Sequence, residues 1–479
     1  MRVIAAAPVL VVAPVFPSSA QQLPTGGAVA AGNVAIGAPH NGTLNINQGS
    51  NQAIINWNTF SVGVGGTVNF NQPGASSATL NRVTSSTPSS IAGTINAPGT
   101  VMLVNPNGIA ITKTGVINTG SFVASTLGIK NEDFLAGKYH FQGNGASAPV
   151  TNRGHINVSD GGFAALLGGR VANHGVINAK LGKVGLGSGE VATIDLSGDG
   201  FMSVAVPSNQ VQNLRDGHGR ALVTNTGKIN ANGGTVVLSA ATAKNALQQA
   251  VNVPGSIRAN SVGVRGGKIV LNGGDGGIVN VGGTLAANGG KHGNGGSIAV
   301  AGAKISVPGK IAANGRKGGH IAVTSAGSLA VAGKVSAKGR SGQGGAIDLA
   351  GNNIRLTGAK VNASGATGGG LVRVGGAFRG GRADPSDPLY QAYVARWGAL
   401  PSIAAATTVT VDSATKIDVS ARKTGDAGTA VIWSNENTSF AGTIVGTGGS
   451  KSGDGGYAEV SGKQLLDFSG RVNLKASVG

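Results

Sequence analysis

Carboxylates are the residues to ask about first, because glycan cleavage needs two or three of them, or one holding a cation beside a basic residue, converging on a groove. The chain of 479 residues has only 18 acidic side chains. Their nearest cluster, Glu190, Asp195 and Asp199, lies in one strand-and-turn stretch, where such residues serve as solvated turn positions. His155 and His174 are spaced to fall on neighbouring turns of a repeat, but a pair without a third ligand reads as surface histidines rather than a metal site. The stretch "GGDGGIVNV" from Gly273 fails as a calcium-binding nonapeptide, since Ile278 stands where Asp is required. No GxxxxGK[ST] phosphate loop occurs, and GxGxxG-like matches among 85 glycines are chance. These residues argue for no enzyme, no metal and no cofactor. A β-helical enzyme acting on acidic polysaccharide is the alternative.

A different stretch carries more information. "VMLVNPNGIAI", from Val101 to Ile111, sets Asn-Pro-Asn-Gly between two short apolar runs. Asn105 precedes a proline and is pushed toward extended geometry. Pro106 presets φ for the second turn position, and Asn107 and Gly108 tolerate the angles that complete a type I or II turn. Tight hairpins prefer the primed turns, so this unprimed corner suits a chain that rounds an edge rather than doubling back.

Composition says what kind of chain has such corners. Only 4% of residues are aromatic and 11% charged, against about 25% charged in ordinary globular domains. Val, Ile, Leu and Ala are interleaved with Gly throughout, which β-structure requires and disorder does not, and no Gly-x-y period supports collagen. Lys plus Arg number 37, so the net charge is +19, which favours acidic partners. The basic residues are scattered singly, without a basic helix, zinc-finger spacing or aromatic RNA-binding box, which argues against nucleic acid. Residues 1–20, with one basic residue, an apolar stretch from Val3 to Phe16 and small residues Ser18-Ser19-Ala20, resemble a short export signal. No later segment approaches the ~18 apolar residues of a membrane helix. Cysteine is absent. That excludes a disulfide framework and suits a chain kept unfolded between two membranes.

The elements that must position the corner repeat. "GSIRA", "GTLAA", "GKIAA", "GKVSA" and "AKVNA" end at residues 259, 287, 313, 337 and 363, at intervals of 28, 26, 24 and 26. Each unit holds roughly three short alternating strands separated by Gly corners and cannot bury its apolar face alone, which is the logic of an all-β solenoid. The same phrase begins earlier at Gly115, Gly154, Gly175 and Gly227. About 17 coils at ~4.8 Å would make a rod of order 80 Å. Ile305, Val307 and Ile311 are expected inside and Lys310 outside. Asn118, Asn157, Asn178 and Asn230 recur after the Ile, and suggest amides stacked at equivalent corners. Two segments break the rhythm. Residues 130–150 hold Phe134, Tyr139 and Phe141 and read as an excursion on the side of the rod. Residues 381–400, with a helix-like "LYQAYVARW", read as a loop inserted into the coil.

The run from Ile55 to Ile129, with "NRV", "NPNGI" and "ASTL" in order, resembles the secretion domain of two-partner-secreted exoproteins, the filamentous haemagglutinin family, and within it the high-molecular-weight adhesin branch. "AVIWSNENTSFAGTI" and "GDGGYAEVSGKQLLDFSGRV" are similar to its rod repeats. The second NPN-type motif of the haemagglutinin branch is absent, "NQPGASSATLNRV" taking its place, and members are commonly far longer than a chain ending at Gly479. The resemblance implies a right-handed parallel β-helix with an N-terminal cap over residues 21–270 and a Gly-rich repeat rod over 271–479. It also implies export through the periplasm of a Gram-negative bacterium to the surface or the medium. The N-terminal domain would be recognised by an outer-membrane β-barrel transporter. Asn105, Pro106, Asn107, Gly108 and Ile109, with Asn81 and Arg82, would form the secretion motif. The expected activity is adhesive, with host-cell glycans or other anionic surface polymers as partners.

Overall fold

A glycine opens most strands of the first of three ladders, and an apolar residue turned into the core follows it. The computed structural model describes residues 22–145, 148–196, 200–205, 221–242, 248–290 and 292–476, so the expected export signal lies outside the described residues. The chain forms a right-handed parallel β-helix, in which 39 strands among the described residues join in one sheet wrapped around a continuous core.

Three ladders run along the rod. The first starts at Thr43–Gln48, and 14 successive parallel pairings join 15 strands as far as Arg471–Asn473. The second runs from Gln52–Trp57 to Tyr457–Gly462, and the third from Ser89–Ile91 to Leu465–Phe468. Fifteen rungs make a rod of about 70 Å, shorter than the length expected from composition and repeat period. The difference is chain taken up by excursions: Asn362 and Asp418, neighbours on the first ladder, are 56 residues apart.

Parallel register puts like on like. Ile95, Ile117, Ile156, Ile177, Ile229 and Ile257 stack on successive coils of the first ladder and are fully buried. Ile305, Val307 and Ile311 also point inward, while Lys310 is exposed. The glycine opening each phrase has a steric cause. A Cβ at Gly154, Gly175, Gly227, Gly255 or Gly283 would collide with the backbone carbonyl of the equivalent glycine one coil earlier. Only a residue without a side chain lets the corners stack at strand spacing.

The N-terminal end is closed by two antiparallel strands. Ala28–Ala31 lies against Gln52–Trp57, and Val34–Ile36 against Thr43–Gln48. Trp57 and Phe60 meet edge to face at 5.6 Å beneath this cap. A free sheet edge would otherwise invite pairing with another chain.

The aromatic excursion is larger than expected. Helix Asn131–Leu135 and strand Tyr139–Gln142 belong to a four-stranded antiparallel sheet completed by Gly128–Ile129, Val191–Ile194 and Met202–Ala205. Phe134, Phe141, Phe163 and Phe201 form a second apolar cluster there, covering Leu80, Met102 and Val123 on the outer side of the second ladder. The later excursion contains a turn at Phe378–Gly381 and a helix, Pro388–Trp397. Asp387 caps that helix by accepting from the Leu389 amide at 3.0 Å.

Candidate secretion-motif site

The Asn-Pro-Asn-Gly corner joins the second ladder to the third. It leaves strand Thr94–Val104 and delivers Ile109–Ile111. The Gly108 amide donates to the Asn105 carbonyl at 3.1 Å. Gly108 takes φ +116, and Asn107 is not among the positive-φ residues, which makes the turn type I.

The two asparagines divide the work. Asn105 is fully buried. Its Nδ2 donates to the Thr87 carbonyl and to Ser89 Oγ, both at 2.9 Å, and its Oδ1 accepts from the Asn107 amide at 3.0 Å. Asn107 is exposed, and its Nδ2 donates to the Ser85 carbonyl at 2.8 Å. Both side chains therefore tie the corner to the preceding loop, 84–88, of the neighbouring coil. Pro106 is half-buried on the rim, and Ile109 is buried in the core. The loop residues Ser85 and Thr87, with Ser89 at the start of the next strand, escape sequence reasoning because Ser and Thr are common in any turn. Only the register pairing Ser89 with Ile109 brings them to the corner.

Asn81 and Arg82 sit one rung away, beside Leu103 and Val104. Asn81 is fully buried and accepts from Trp57 Nε1 at 2.9 Å, which fixes the cap tryptophan. Arg82 reaches outward. Its guanidinium donates to Asn56 Oδ1 at 3.2 Å, to the Ile129 carbonyl at 2.8 Å and to Asn131 Oδ1 at 3.0 Å, clipping the aromatic excursion to the rod. Burial lowers its pKa from the usual arginine value. Asn81 and Arg82 thus flank the strand that leads into the corner and tie it to the cap and to the excursion.

The other expected positions resolve differently. The stacked asparagines lie on strands rather than at corners. They extend further than the repeat suggested, because the row begins at Asn45, and Asn69, Asn96, Asn118, Asn157, Asn178 and Asn230 each donate to the one before at 2.9–3.2 Å. A second, buried row runs Asn152, Asn173, Asn225. Glu190 is not a solvated turn residue. It is 3% exposed and accepts from the Gly145 amide at 3.2 Å, because the small antiparallel sheet encloses it. Asp199 lies outside the described residues. His155 and His174 line one groove with Lys113, Arg153 and Lys228. His174 Nδ1 is 2.7 Å from Thr226 Oγ1, and burial, then the nearby Arg153, hold its pKa below the usual histidine value. Unforeseen from sequence is a charged cluster under the later excursion. Asp348 pairs with Arg373 inside and with His320 outside.

A capped parallel β-helix is the fold of the secretion-domain class of exported proteins. Residues 20–287 match the family model of the TPS secretion domain, and the chain belongs to that family. The crystal structure of the HMW1 secretion domain from Haemophilus influenzae matches 95% of this chain and 99% of that one, with a TM-score of 0.57 and 26% identity. Two Haemophilus influenzae proteins called heme/hemopexin-binding protein are 34% identical over 54% of this chain and 30% identical over 48% of it. The aligned part is 28% and 26% of their length, so the chain spans about a quarter of the relatives it matches. Among the described residues no helix is long and apolar enough to cross a membrane.

Proposed function

We propose that this chain is the adhesive exoprotein of a two-partner system, recognised through its N-terminal domain by an outer-membrane β-barrel transporter. Exoproteins of this family are secreted through the periplasm to the cell surface or the medium. The observation that supports the reading is the split within one motif. Asn105 is buried as a staple, while Asn107 stands exposed on the rim beside Pro106. Asn107 Nδ2 bonds the Ser85 carbonyl and Asn105 Oδ1, yet its side chain stays exposed on the rim, within reach of an outside partner.

In this reading residues 21–270 are the recognised domain and residues 271–479 are the rod that carries adhesion. Anionic surface polymers suit the net charge of +19. Replacing Asn105 and Asn107 together by Ala tests it. Synthesis and signal removal should proceed while release to the medium falls, and Thr112→Ser should release normally. Normal release of the double variant overturns the reading.

A further inference from the structure

We propose that the outer face of the first ladder between Lys310 and Lys416 binds a linear acidic polysaccharide. Register places Lys310, Lys334, Lys360 and Lys416 directly beside one another on four successive coils. All four are exposed, and ladder neighbours lie about 4.8 Å apart. Like charges set directly opposite on paired strands destabilise a sheet. Among the described residues none of the four ammonium groups is ion-paired. One of them is hydrogen-bonded, Lys360 Nζ donating to the Ala414 carbonyl at 3.0 Å.

The carboxylates flanking Lys416 are already committed. Asp412 accepts from the Gly358 amide at 2.9 Å and from Thr415 Oγ1 at 2.7 Å. Asp418 accepts from Asn362 Nδ2 at 3.2 Å and from the Ser420 amide at 3.0 Å. These donors are neutral and both carboxylates keep their charge, but neither is ion-paired to a lysine of the column, and four ammonium groups against two carboxylates leave the column an excess of positive charge. Its partners inside each strand, Ile311, Val335, Val361 and Ile417, are buried in the core, so the column is carried on a rigid support. A polymer that repeats a negative charge along its length matches a column that repeats a positive one at fixed spacing.

Two features favour a glycan over nucleic acid. The four strands read KIA, KVS, KVN and KID and hold no aromatic side chain, whereas single-stranded nucleic acid binds by stacking bases on aromatic platforms. Exposure at a cell surface or in the medium brings the rod to acidic polysaccharides. On this point the inference rests on the proposed function.

Purified full chain tests it with heparin and polygalacturonate as acidic probes, dextran as a neutral one and duplex DNA as the competing class. Exchanging Lys310, Lys334, Lys360 and Lys416 for Gln should weaken binding of an acidic glycan by about tenfold or more and flatten its salt dependence. Exchanging the exposed Lys130, Lys138, Lys451 and Lys463 for Gln makes the same change in net charge and should leave binding near wild type. The free fourfold ladder variant should melt no lower than wild type at low salt, since repulsion has been relieved. Equal losses from the two variants, a lower melting temperature of the ladder variant, or tighter binding to DNA than to either glycan overturns the proposal. Because the assay uses purified protein, a negative result leaves release to the medium, and the reading built on it, untouched.

Discussion

Arg373 Nε lies 2.7 Å from Asp348 Oδ1 and Arg373 NH2 lies 2.9 Å from Oδ2, a two-pronged pair on adjacent coils with the arginine side chain 3% exposed. His320 Nε2 adds a contact to Oδ2 at 3.1 Å from one coil earlier, and Arg373 NH1 donates to the Pro401 carbonyl at 3.0 Å. Three coils and the later excursion are thus locked by one carboxylate. Asp348→Asn should cost about 3–5 kcal/mol, because the guanidinium would be left buried and uncompensated. Chemical denaturation of the two proteins checks this, and a change below 1 kcal/mol would show the pair to be idle.

The same carboxylate sets an acid limit. Burial by itself raises the Asp348 pKa, but the hydrogen bonds from His320 and Arg373 and their charges outweigh it and hold it below the ordinary value of 3.8. A carboxyl depressed on folding contributes stability that is fully present above its unfolded pKa and lost as pH falls through the folded one. The wild type should therefore lose stability below about pH 4, and Asp348→Asn should show a shallower acid slope there. Melting curves across pH 2–6 supply the comparison, and parallel slopes would remove Asp348 from the account.

Alternation within one strand gives a sharper test of the winding. Ile311 is buried and Lys310 exposed within Lys310–Ala312. Ile311→Asp would bury a carboxylate with no partner and should destabilise by several kcal/mol. Lys310→Asp faces solvent next to Lys334 and should change stability by less than about 0.5 kcal/mol, or raise it. Equal effects would contradict the register.

These cases also show what could be read from residues alone. The inward Ile of each phrase and the glycine before it are local signals with a fixed interval, so the first ladder and its core were legible. The other two ladders were harder to follow. Strands such as Ser297–Val307 and His320–Val331 pass from the second ladder to the third with a single glycine, Gly302 or Gly327, and no proline to mark the corner. The small antiparallel sheet joins Tyr139–Gln142 to Val191–Ile194, and no local pattern marks that partnership. Asp348 and Arg373 sit at the outward position of alternating strands, where a charged residue normally meets water. Residues 375–405 fold over them, and alternation says nothing about what covers an outer face.

The amide rows offer a comparison between burial levels. Asn173 is fully buried, accepting from Asn152 Nδ2 at 2.8 Å and donating to Asn225 Oδ1 at 2.7 Å. Asn178 has the same two kinds of neighbour, Asn157 and Asn230, but is partly open to solvent. Asn173→Ala strands two buried amides and should cost about 2–4 kcal/mol, whereas water can replace the lost partner of Asn178→Ala, for about 1 kcal/mol. The reverse order, measured by denaturation, would mean that the rows are held by the backbone ladder and owe nothing to burial.

Single variants at the corner separate winding from recognition, which the double variant alone does not. Asn105→Ala removes four hydrogen bonds from a fully buried amide, to Thr87, Ser89, and the backbone and side chain of Asn107, and should destabilise the purified protein by about 2–3 kcal/mol. Asn107→Ala removes an exposed bond to the Ser85 carbonyl and one to Asn105 Oδ1, which keeps its bond from the residue 107 backbone amide, and should cost about 1 kcal/mol. If release depends only on how well the domain winds, the loss of release should follow stability, with Asn105→Ala much the worse. If the transporter touches the corner, Asn107→Ala should lower release out of proportion to its small effect on stability, and should also weaken binding to the transporter. A refolded Asn107→Ala domain that is stable, binds normally and is released normally would confine the motif to its turn and withdraw Asn107 from the proposed recognition surface.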